Sequence, residues 1–260
     1  MEVVIQPSAA DVARVVADAV EALLRRKPNA VLGLATGSSP LATYAELVER
    51  QRAGRISFAT ARGFLLDEYI GLPVGHPQSY RSVIERCFSG LVDFAPGAVQ
   101  SPDGSAADIP AECVAYEAAI RVAGGIDLQL LGIGGDGHVG FNEPISSLSS
   151  RTRVKTLTDE TRADNARFFA DLDDVPHHVV TQGIGTILDA HHVVLIATGA
   201  SKASPIRRAV EGPLAAICPA SALQLHRHAT VVVDEAAAAE LTLTDYYRAT
   251  FGDKPAWQGL

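Results

Sequence analysis

Cysteine is scarce in this chain of 260 residues, and long apolar runs are missing. Cys87, Cys113 and Cys218 lie far apart and form no C-x-x-C pair, which excludes a disulfide scaffold and indicates reduced thiols in a cytosol. No run reaches the roughly 18 apolar residues of a membrane span. The first residues lack the basic and apolar segments of a signal peptide, so we expect a cytoplasmic protein with no membrane partner.

Positive charge is also in the minority. The chain has 22 Lys and Arg against 30 Asp and Glu, and its net charge is −8. Nucleic-acid binding needs clustered basic residues that neutralise phosphates, so this balance argues against a nucleic-acid partner. The few cations that fall near glycine-rich turns are therefore candidate ligands of a small anion.

The hydrophobic content of 47% is ample for one folded core, and we predict a single domain over residues 1–260. Short β-branched or aliphatic runs alternate with amphipathic stretches, which predicts an α/β, Rossmann-like, mostly parallel sheet of about seven strands with helices on both faces. A helix should begin at Ser8 and stop before Pro28. The predicted strands are Val3–Ile5, Val31–Ala35, Gly63–Leu66, Leu128–Leu131, Arg153–Leu157, Val193–Ala197 and Thr230–Val233.

Two further segments are assigned from composition. The Pro, Gly and Asp-rich stretch Asp93–Pro110 is predicted to be loop, and the alanine run Ala236–Ala239 favours helix. In open α/β sheets, ligands bind at the carboxyl ends of the strands, so the functional residues should follow the strands directly.

The first such strand end carries Gly37, Ser38 and Ser39, with Pro40 at the expected first position of a helix. A glycine allows close backbone approach, and a helix N-terminus offers free N–H groups to an anion. The segment lacks the lysine and the spacing of a Walker A loop, and an ordinary capped turn is the commoner explanation of one such sequence. Alone it is a modest phosphate-binding signal.

A second strand ends at the acidic pair Asp67 and Glu68. A carboxylate among apolar neighbours has a raised pKa and is suited to act as a general base. An acidic helix cap or a solvated pair explains such residues more often.

The densest cluster is the segment LGIGGDGHVGFNEP, in which glycines surround Asp136, His138 and Glu143. Its G-x-G-x-x-G spacing formally matches a dinucleotide fingerprint, but Gly, Asn, Pro and Ser follow where the fingerprint needs a helix, so we reject a nicotinamide cofactor. A carboxylate beside an imidazole tunes its proton affinity, so the loop has the residues for acid–base chemistry.

Two cations complete the candidate set. Lys202 follows a predicted strand at a second glycine turn, and Arg167 lies beside aromatic residues. Each alone is more commonly a solvated surface charge, and spacing does not establish that they converge. The histidine pairs His177–His178 and His191–His192, with His226 and His228, lack a Cys or carboxylate at ligand spacing, so we predict no metal.

Taken together, the motifs LATGSSP, LDEYIGL, LGIGGDGHVGFNEP, SRTRVKTLTDETRADNARFF and SALQLH resemble the glucosamine-6-phosphate deaminase family, from about residue 31 to 226. The resemblance implies conversion of α-D-glucosamine 6-phosphate and water to β-D-fructose 6-phosphate and ammonium, without metal or organic cofactor. It implies Asp67 as the base between C2 and C1, and His138 as the ring-opening group, supported by Asp136 and Glu143. The implied phosphate-binding positions are Gly37, Ser38, Ser39, Arg167 and Lys202.

Some members of the family are hexamers activated by N-acetylglucosamine 6-phosphate, so an effector and a homo-oligomer are further expectations. The residues that match the effector positions are Ser146, Arg153, Lys155 and Thr156. A tyrosine near the carboxyl end is not matched with certainty by Tyr246 or Tyr247.

Three alternatives remain at this point. A 6-phosphogluconolactonase-like hydrolase shares the DGH segment, but the segment containing Glu143 argues against it. A galactosamine-6-phosphate deaminase is not excluded by any residue. A non-enzymatic sugar-phosphate sensor would need a basic DNA-binding helix, which the sequence does not offer, and would have no need of Asp67 and His138.

Overall fold

The computed structural model describes residues 1–255 and 257–260, with Asp164 described by its backbone alone. Its larger sheet has seven strands, all paired in parallel, in the order β1-β10-β9-β6-β2-β3-β5. The strands of this sheet are β1 (Glu2–Gln6), β2 (Val31–Leu34), β3 (Arg62–Leu65), β5 (Val99–Gln100), β6 (Leu128–Leu131), β9 (His192–Ala197) and β10 (Ala229–Asp234). The predicted mostly parallel α/β sheet is confirmed.

Helices flank this sheet. The first, α1, is capped as expected: the hydroxyl of Ser8 accepts the backbone N–H of Asp11, and Val12, Val16 and Val20 are buried on one face. The helices are α1 (Ala9–Arg26), α2 (Leu41–Arg52), α3 (Tyr80–Cys87), α4 (Ile109–Val122), α5 (Asp159–Ala166), α6 (Ile184–Leu188), α7 (Ala203–Val210) and α8 (Thr244–Gly252). Among residues 1–255 and 257–260, no helix has the length and apolar character needed to cross a bilayer.

A second, antiparallel sheet stands apart from the first. It contains β4 (Asp67–Tyr69), β8 (His178–Thr181) and β7 (Arg153–Thr156), with β8 in the middle. The predicted strand Arg153–Leu157 is therefore real but belongs to this sheet. Along β7, exposed residues alternate with partly buried ones, whereas every residue of β6 and β9 is buried. Such alternation is typical of an antiparallel strand with one face in solvent.

Three local predictions need correction. The predicted loop Asp93–Pro110 contains the edge strand β5 and the start of α4. Ala236–Ala239 forms turns, because Asp234 binds the N–H of Ala237 and a four-residue alanine run is too short to sustain a helix alone. Pro40 is the N-cap residue of α2, one position before the predicted one.

The strand order reverses direction at the β2–β6 pair. From β2 the chain proceeds outward through β3 and β5, whereas from β6 it proceeds through β9 and β10 on the other side. A crevice forms at such a switch point beyond the carboxyl ends of the strands, and it is the usual ligand site of an open α/β sheet. The two glycine-rich segments identified in the sequence follow β2 and β6.

Candidate active site

The turn after β2 and the loop after β6 touch each other at this crevice. A methyl group on Gly132 would lie 3.3 Å from the hydroxyl oxygen of Ser39. Gly37 has a φ of +88°, which L side chains rarely adopt, and Ser38 beside it is exposed. The turn leads into the N-terminus of α2, which is the arrangement expected of an anion-binding turn.

The loop after β6 is not followed by a helix. It forms turns through Ser150, with the N–H of Gly134 bonded to the carbonyl of His138 at 2.9 Å. A dinucleotide fingerprint needs a helix directly after its glycines, so the turns found here agree with our reason for rejecting that fingerprint. A methyl group on Gly134 would overlap the His138 ring, and one on Gly137 would lie 2.6 Å from the sulfur of Cys218. Both glycines are therefore needed for the loop to close around the histidine.

Two carboxylates face the same ring nitrogen of His138. Nδ1 lies 2.8 Å from Asp136 Oδ1 and 3.7 Å from Glu143 Oε2. The first contact is an ion pair when the imidazole is protonated. Asp136 Oδ1 also accepts the backbone N–H of His138 at 3.0 Å, which fixes the carboxylate beside the imidazole.

This group has strongly perturbed proton affinities. Burial disfavours the charged imidazole, but Asp136 and Glu143 outweigh it and raise the pKa of His138 above its ordinary value. The same imidazole overcomes the effect of burial on Asp136 and holds the pKa of that carboxyl below its usual range. Burial and the Asp136 charge raise the pKa of Glu143, although Thr161 donates a 2.6 Å hydrogen bond to its Oε1. No local pattern identifies Thr161 as part of the site, because it lies on α5, 18 residues from its partner.

Asp67 is placed apart from this group but close to it. Asp67 is the first residue of β4, which begins just after the end of β3, and it is only 4% exposed. Its Oδ1 has no hydrogen-bond partner in the part of the chain that the structure describes. Burial first, and then the Glu68 charge, raise the pKa of Asp67 to about 8, while the nearby His138 lowers it. Such a carboxylate is a strong base held in an apolar setting.

The neighbouring Glu68 has a different role. Its carboxylate accepts the backbone N–H groups of Tyr69, Tyr80 and Arg81, each at 2.9 Å. Glu68 therefore anchors the start of α3. The two acids differ in their surroundings: Glu68 is held by backbone N–H groups, whereas Oδ1 of Asp67 has no hydrogen-bond partner among the described residues.

The structure treats the two candidate cations differently. Lys202 lies in the turn before α7, where its Nζ donates to the carbonyl of Ile133 at 2.7 Å. The positive charge of Lys202 acts to lower the pKa of His138. Lys202 is therefore at the crevice. Arg167 ends α5 and is exposed, with its guanidinium 4.8 Å from the centre of the Phe168 ring. No contact among the described residues joins Arg167 to the Gly37 turn.

Three of the four residues that match effector positions belong to the second sheet. Arg153, Lys155 and Thr156 are on β7, and Ser146 follows the glycine-rich loop. The hydroxyl of Ser146 is buried and has no hydrogen-bond partner within residues 1–255 and 257–260. Burial lowers the pKa of Arg153, and the described acidic side chains form no ion pair with it.

In the described part of the chain, one group of His, Cys, Asp and Glu side chains has metal-ligand spacing. It is Asp136, His138 and Glu143, whose ligand atoms lie within 4.8 Å of one another. The predicted histidine pairs do not contribute to it. His192 and His228 instead stack their rings at 3.7 Å at the opposite end of the sheet, at the start of β9 and before β10.

The crevice thus combines a histidine with two carboxylates, a separate buried acid and an anion-binding turn. These features are those of an α/β enzyme with groups suited to proton transfer and to binding a small anion. A family model described as glucosamine-6-phosphate isomerases/6-phosphogluconolactonase matches residues 6–233. The chain belongs to this family.

Individual relatives agree with that assignment. A glucosamine-6-phosphate deaminase of Arthrobacter sp. (strain FB24) is 65% identical over all of both chains. The solved structure of a monomeric glucosamine-6-phosphate deaminase of the NagB superfamily is 40% identical, with a TM-score of 0.90 over 92% of this chain and 100% of that one. The 6-phosphogluconolactonase of Thermotoga maritima shares the fold at 22% identity, with a TM-score of 0.70 over 89% of this chain and 97% of that one.

Proposed function

We infer that this chain is an enzyme that converts α-D-glucosamine 6-phosphate and water to β-D-fructose 6-phosphate and ammonium. The observation that carries the inference is the pairing of two proton-transfer centres at one crevice: the His138 group and the separate, buried Asp67. An aldose–ketose isomerisation with ring opening needs two such centres. The full-length similarity to a protein named glucosamine-6-phosphate deaminase supplies the substrate.

Ring opening is assigned to His138. The anomeric hydroxyl must lose a proton while the ring oxygen gains one, and an imidazole can both accept and donate a proton. Asp136 stabilises the charged imidazole, and Glu143 stands on the same side of the ring. These carboxylates keep a proton available to the ring oxygen.

Isomerisation is assigned to Asp67. The ionised carboxylate takes the proton from C2, and the electron pair of that bond forms a C1–C2 double bond. The π pair of the C1 carbonyl moves to O1, which takes a proton from the solvent, so the intermediate is an enolamine. Return of the proton from Asp67 to C1, with the nitrogen lone pair forming a C2–N double bond, leaves an iminium ion at C2. Addition of water to C2 and cleavage of the C2–N bond then give the ketone and ammonium. The unpartnered Oδ1 of Asp67 supports this role, because no protein donor competes for it among the described residues.

The phosphate group is assigned to the turn at Gly37, Ser38 and Ser39 together with Lys202 and, once substrate is bound, Arg167. The contact between the β2 and β6 turns and the position of Lys202 support the first part of this assignment. Binding at a group remote from C1 and C2 orients the reacting carbons. Arg167 would have to turn away from Phe168 to take part.

The remaining assignments concern setting and control. We place the single catalytic domain, residues 1–260, in the cytoplasm, without metal, organic cofactor or nucleic acid. An effector, N-acetylglucosamine 6-phosphate, is assigned to Ser146, Arg153, Lys155 and Thr156. The unpartnered hydroxyl of Ser146 supports that site. Rate curves at low substrate that do not respond to this effector would remove it, and sedimentation would distinguish a homo-oligomer from a monomer like the 40% identical relative.

Galactosamine 6-phosphate is the competing substrate, since no described residue can be assigned to the C4 hydroxyl. A lactonase activity is less well supported, because the similarity to lactonases lies in the fold and Glu143 forms part of the acid–base group.

The test is release of ammonium and fructose 6-phosphate by purified protein, with glucosamine 6-phosphate and galactosamine 6-phosphate supplied separately. Equimolar release of both products from the first sugar establishes the deaminase. Hydrolysis of 6-phosphogluconolactone with no ammonium release would replace it with the lactonase.

A further inference from the structure

Two fully buried amide side chains lie between the two proton-transfer centres. Asn142 follows His138 in the glycine-rich loop, and Gln182 follows β8 in the second sheet; both are 0% exposed. The sequence does not predict that they are hydrogen-bonded to each other, because 40 residues separate them. Burying an amide side chain costs free energy unless the amide is hydrogen-bonded. The hydrogen-bond partners of these two amides therefore show which segments they join.

Asn142 joins the histidine loop to β8. Its Nδ2 has two hydrogens and donates one to the carbonyl of Val139 at 2.9 Å and one to the carbonyl of Gln182 at 2.8 Å. The first bond closes the turn that directly follows His138. The second ties this turn to the end of the strand that pairs with β4.

Gln182 continues the connection to the base. Its backbone N–H donates to the carbonyl of Leu66 at 2.8 Å, and its Nε2 donates to the carbonyl of Leu65 at 3.0 Å. These two carbonyls immediately precede Asp67. A hydrogen-bonded chain therefore runs from the residue after His138, through Asn142 and Gln182, to the residue before Asp67.

We propose that Asn142 and Gln182 are positioning residues that fix the distance between Asp67 and His138. The proposal rests on the proposed function, in which the two groups act on the same sugar. A displacement of about 1 Å in such an arrangement can cost about 100-fold in rate. The amide bridge is held in place because it is buried and because the nitrogen of each amide side chain donates to at least one backbone carbonyl.

The experiment compares Asn142→Leu and Gln182→Met with the unaltered chain, using glucosamine 6-phosphate with hydrogen or deuterium at C2. Asn142→Leu keeps the side-chain volume and removes both donors. Gln182→Met removes the side-chain hydrogen bonds to the carbonyl of Leu65 and to the Tyr116 hydroxyl, and keeps the backbone bonds to Leu66 and Asn142. We expect kcat to fall about 100-fold in the first variant and about 10-fold in the second, with KM within about threefold.

The deuterium effect on kcat distinguishes positioning from simple loss of folded protein. A misplaced Asp67 makes proton transfer from C2 slower relative to the other steps, so the effect should be larger in both variants. Fewer folded molecules would lower kcat and leave the isotope effect unchanged. Gln129→Met is the matched control, because Gln129 is also 0% exposed, and its Nε2 donates to the carbonyl of Leu130 on the central strand β6. It should lose stability without a change in isotope effect.

If Asn142→Leu does not fold, Gln182→Met decides the question. An unchanged isotope effect and unchanged kcat per folded molecule in Gln182→Met would overturn the proposal while the deaminase activity of the unaltered chain stands. Absence of ammonium release from the unaltered chain would instead overturn the proposed function, and the positioning role with it.

Discussion

The pKa of Asp67 leads to a prediction about rate. A general base acts only when ionised, and a group with a pKa of about 8 is ionised in about one molecule in eleven at pH 7. We expect kcat/KM to rise about tenfold from pH 6 to pH 7 and to level off above about pH 8.5, because the ionised fraction of Asp67 follows that course. The measurement is the initial rate of ammonium release at low substrate from pH 5.5 to 9.

The same pKa predicts an effect on stability. The pKa of an unfolded Asp is about 3.9, so between about pH 4 and 8 the native state holds a proton that the unfolded state has lost. The protonated acid contributes to the free energy of unfolding, and this contribution is fully present below the window. It is lost as the pH rises through the window, by at most about 1.4 kcal/mol per pH unit. The whole window amounts to about 5.6 kcal/mol as an upper bound.

Asp67→Asn separates these effects. The amide cannot ionise, so the variant should lose most turnover, about 10²–10⁴-fold. It should also be more stable than the unaltered chain at pH 8.5 by several kcal/mol, and similar to it at pH 4.5. Urea unfolding at the two pH values measures the difference.

A control with the opposite sign is available at Asp93. Burial raises its pKa, but hydrogen bonds from the Ser57 hydroxyl and the Phe58 N–H outweigh burial and lower it. Asp93→Asn should therefore destabilise the protein at pH 7 and leave kcat unchanged. An acid limb near pH 4 in the rate profile, or no gain in stability for Asp67→Asn at pH 8.5, would refute our account of Asp67.

Three further outcomes are expected. Lys202→Ala should raise KM far more than it lowers kcat, because a phosphate contact is shared by ground and transition states; an equal fall in kcat would contradict this. Prolonged treatment with EDTA should leave kcat unchanged despite the ligand spacing around His138, and restoration of lost activity by an added metal would show the reverse. Burial first, then His228, lower the pKa of His192 to about 3, so stability should fall as the pH drops below about 6.5, and urea unfolding of His192→Gln should show a smaller loss over that range.

Much of the site was predictable because its residues directly follow strands. The Gly37 turn, Asp67 and Lys202 each come within a few residues of a strand end, and parallel strands bring such ends to one edge. His138 and its two carboxylates lie within one loop, so proximity in the sequence sufficed.

The parts that escaped prediction depend on contacts between distant segments. The second sheet could not be inferred, because β4, β7 and β8 are short and their pairing is set by tertiary packing. The hydroxyl of Thr161 and the amides of Asn142 and Gln182 reach partners that no local pattern relates to them. The prediction for the alanine run before α8 is wrong for a different reason. Its strong local preference for helix is overridden by the hydrogen bond from the N–H of Ala237 to Asp234.

The second sheet also determines how a signal from the proposed effector site would reach the chemistry. Arg153 on β7 and Asp67 on β4 pair with the same residue of the strand between them, Thr181. Thr181 is fully buried, and its hydroxyl accepts the N–H of Phe141 in the histidine loop at 3.1 Å. Paired strands share one hydrogen-bond ladder, so β7 cannot shift along its axis without straining the register that holds the base. A ligand bound to Arg153 would therefore be two strands away from Asp67. It would also be linked to the loop that carries His138 through the hydrogen bond between Thr181 and Phe141.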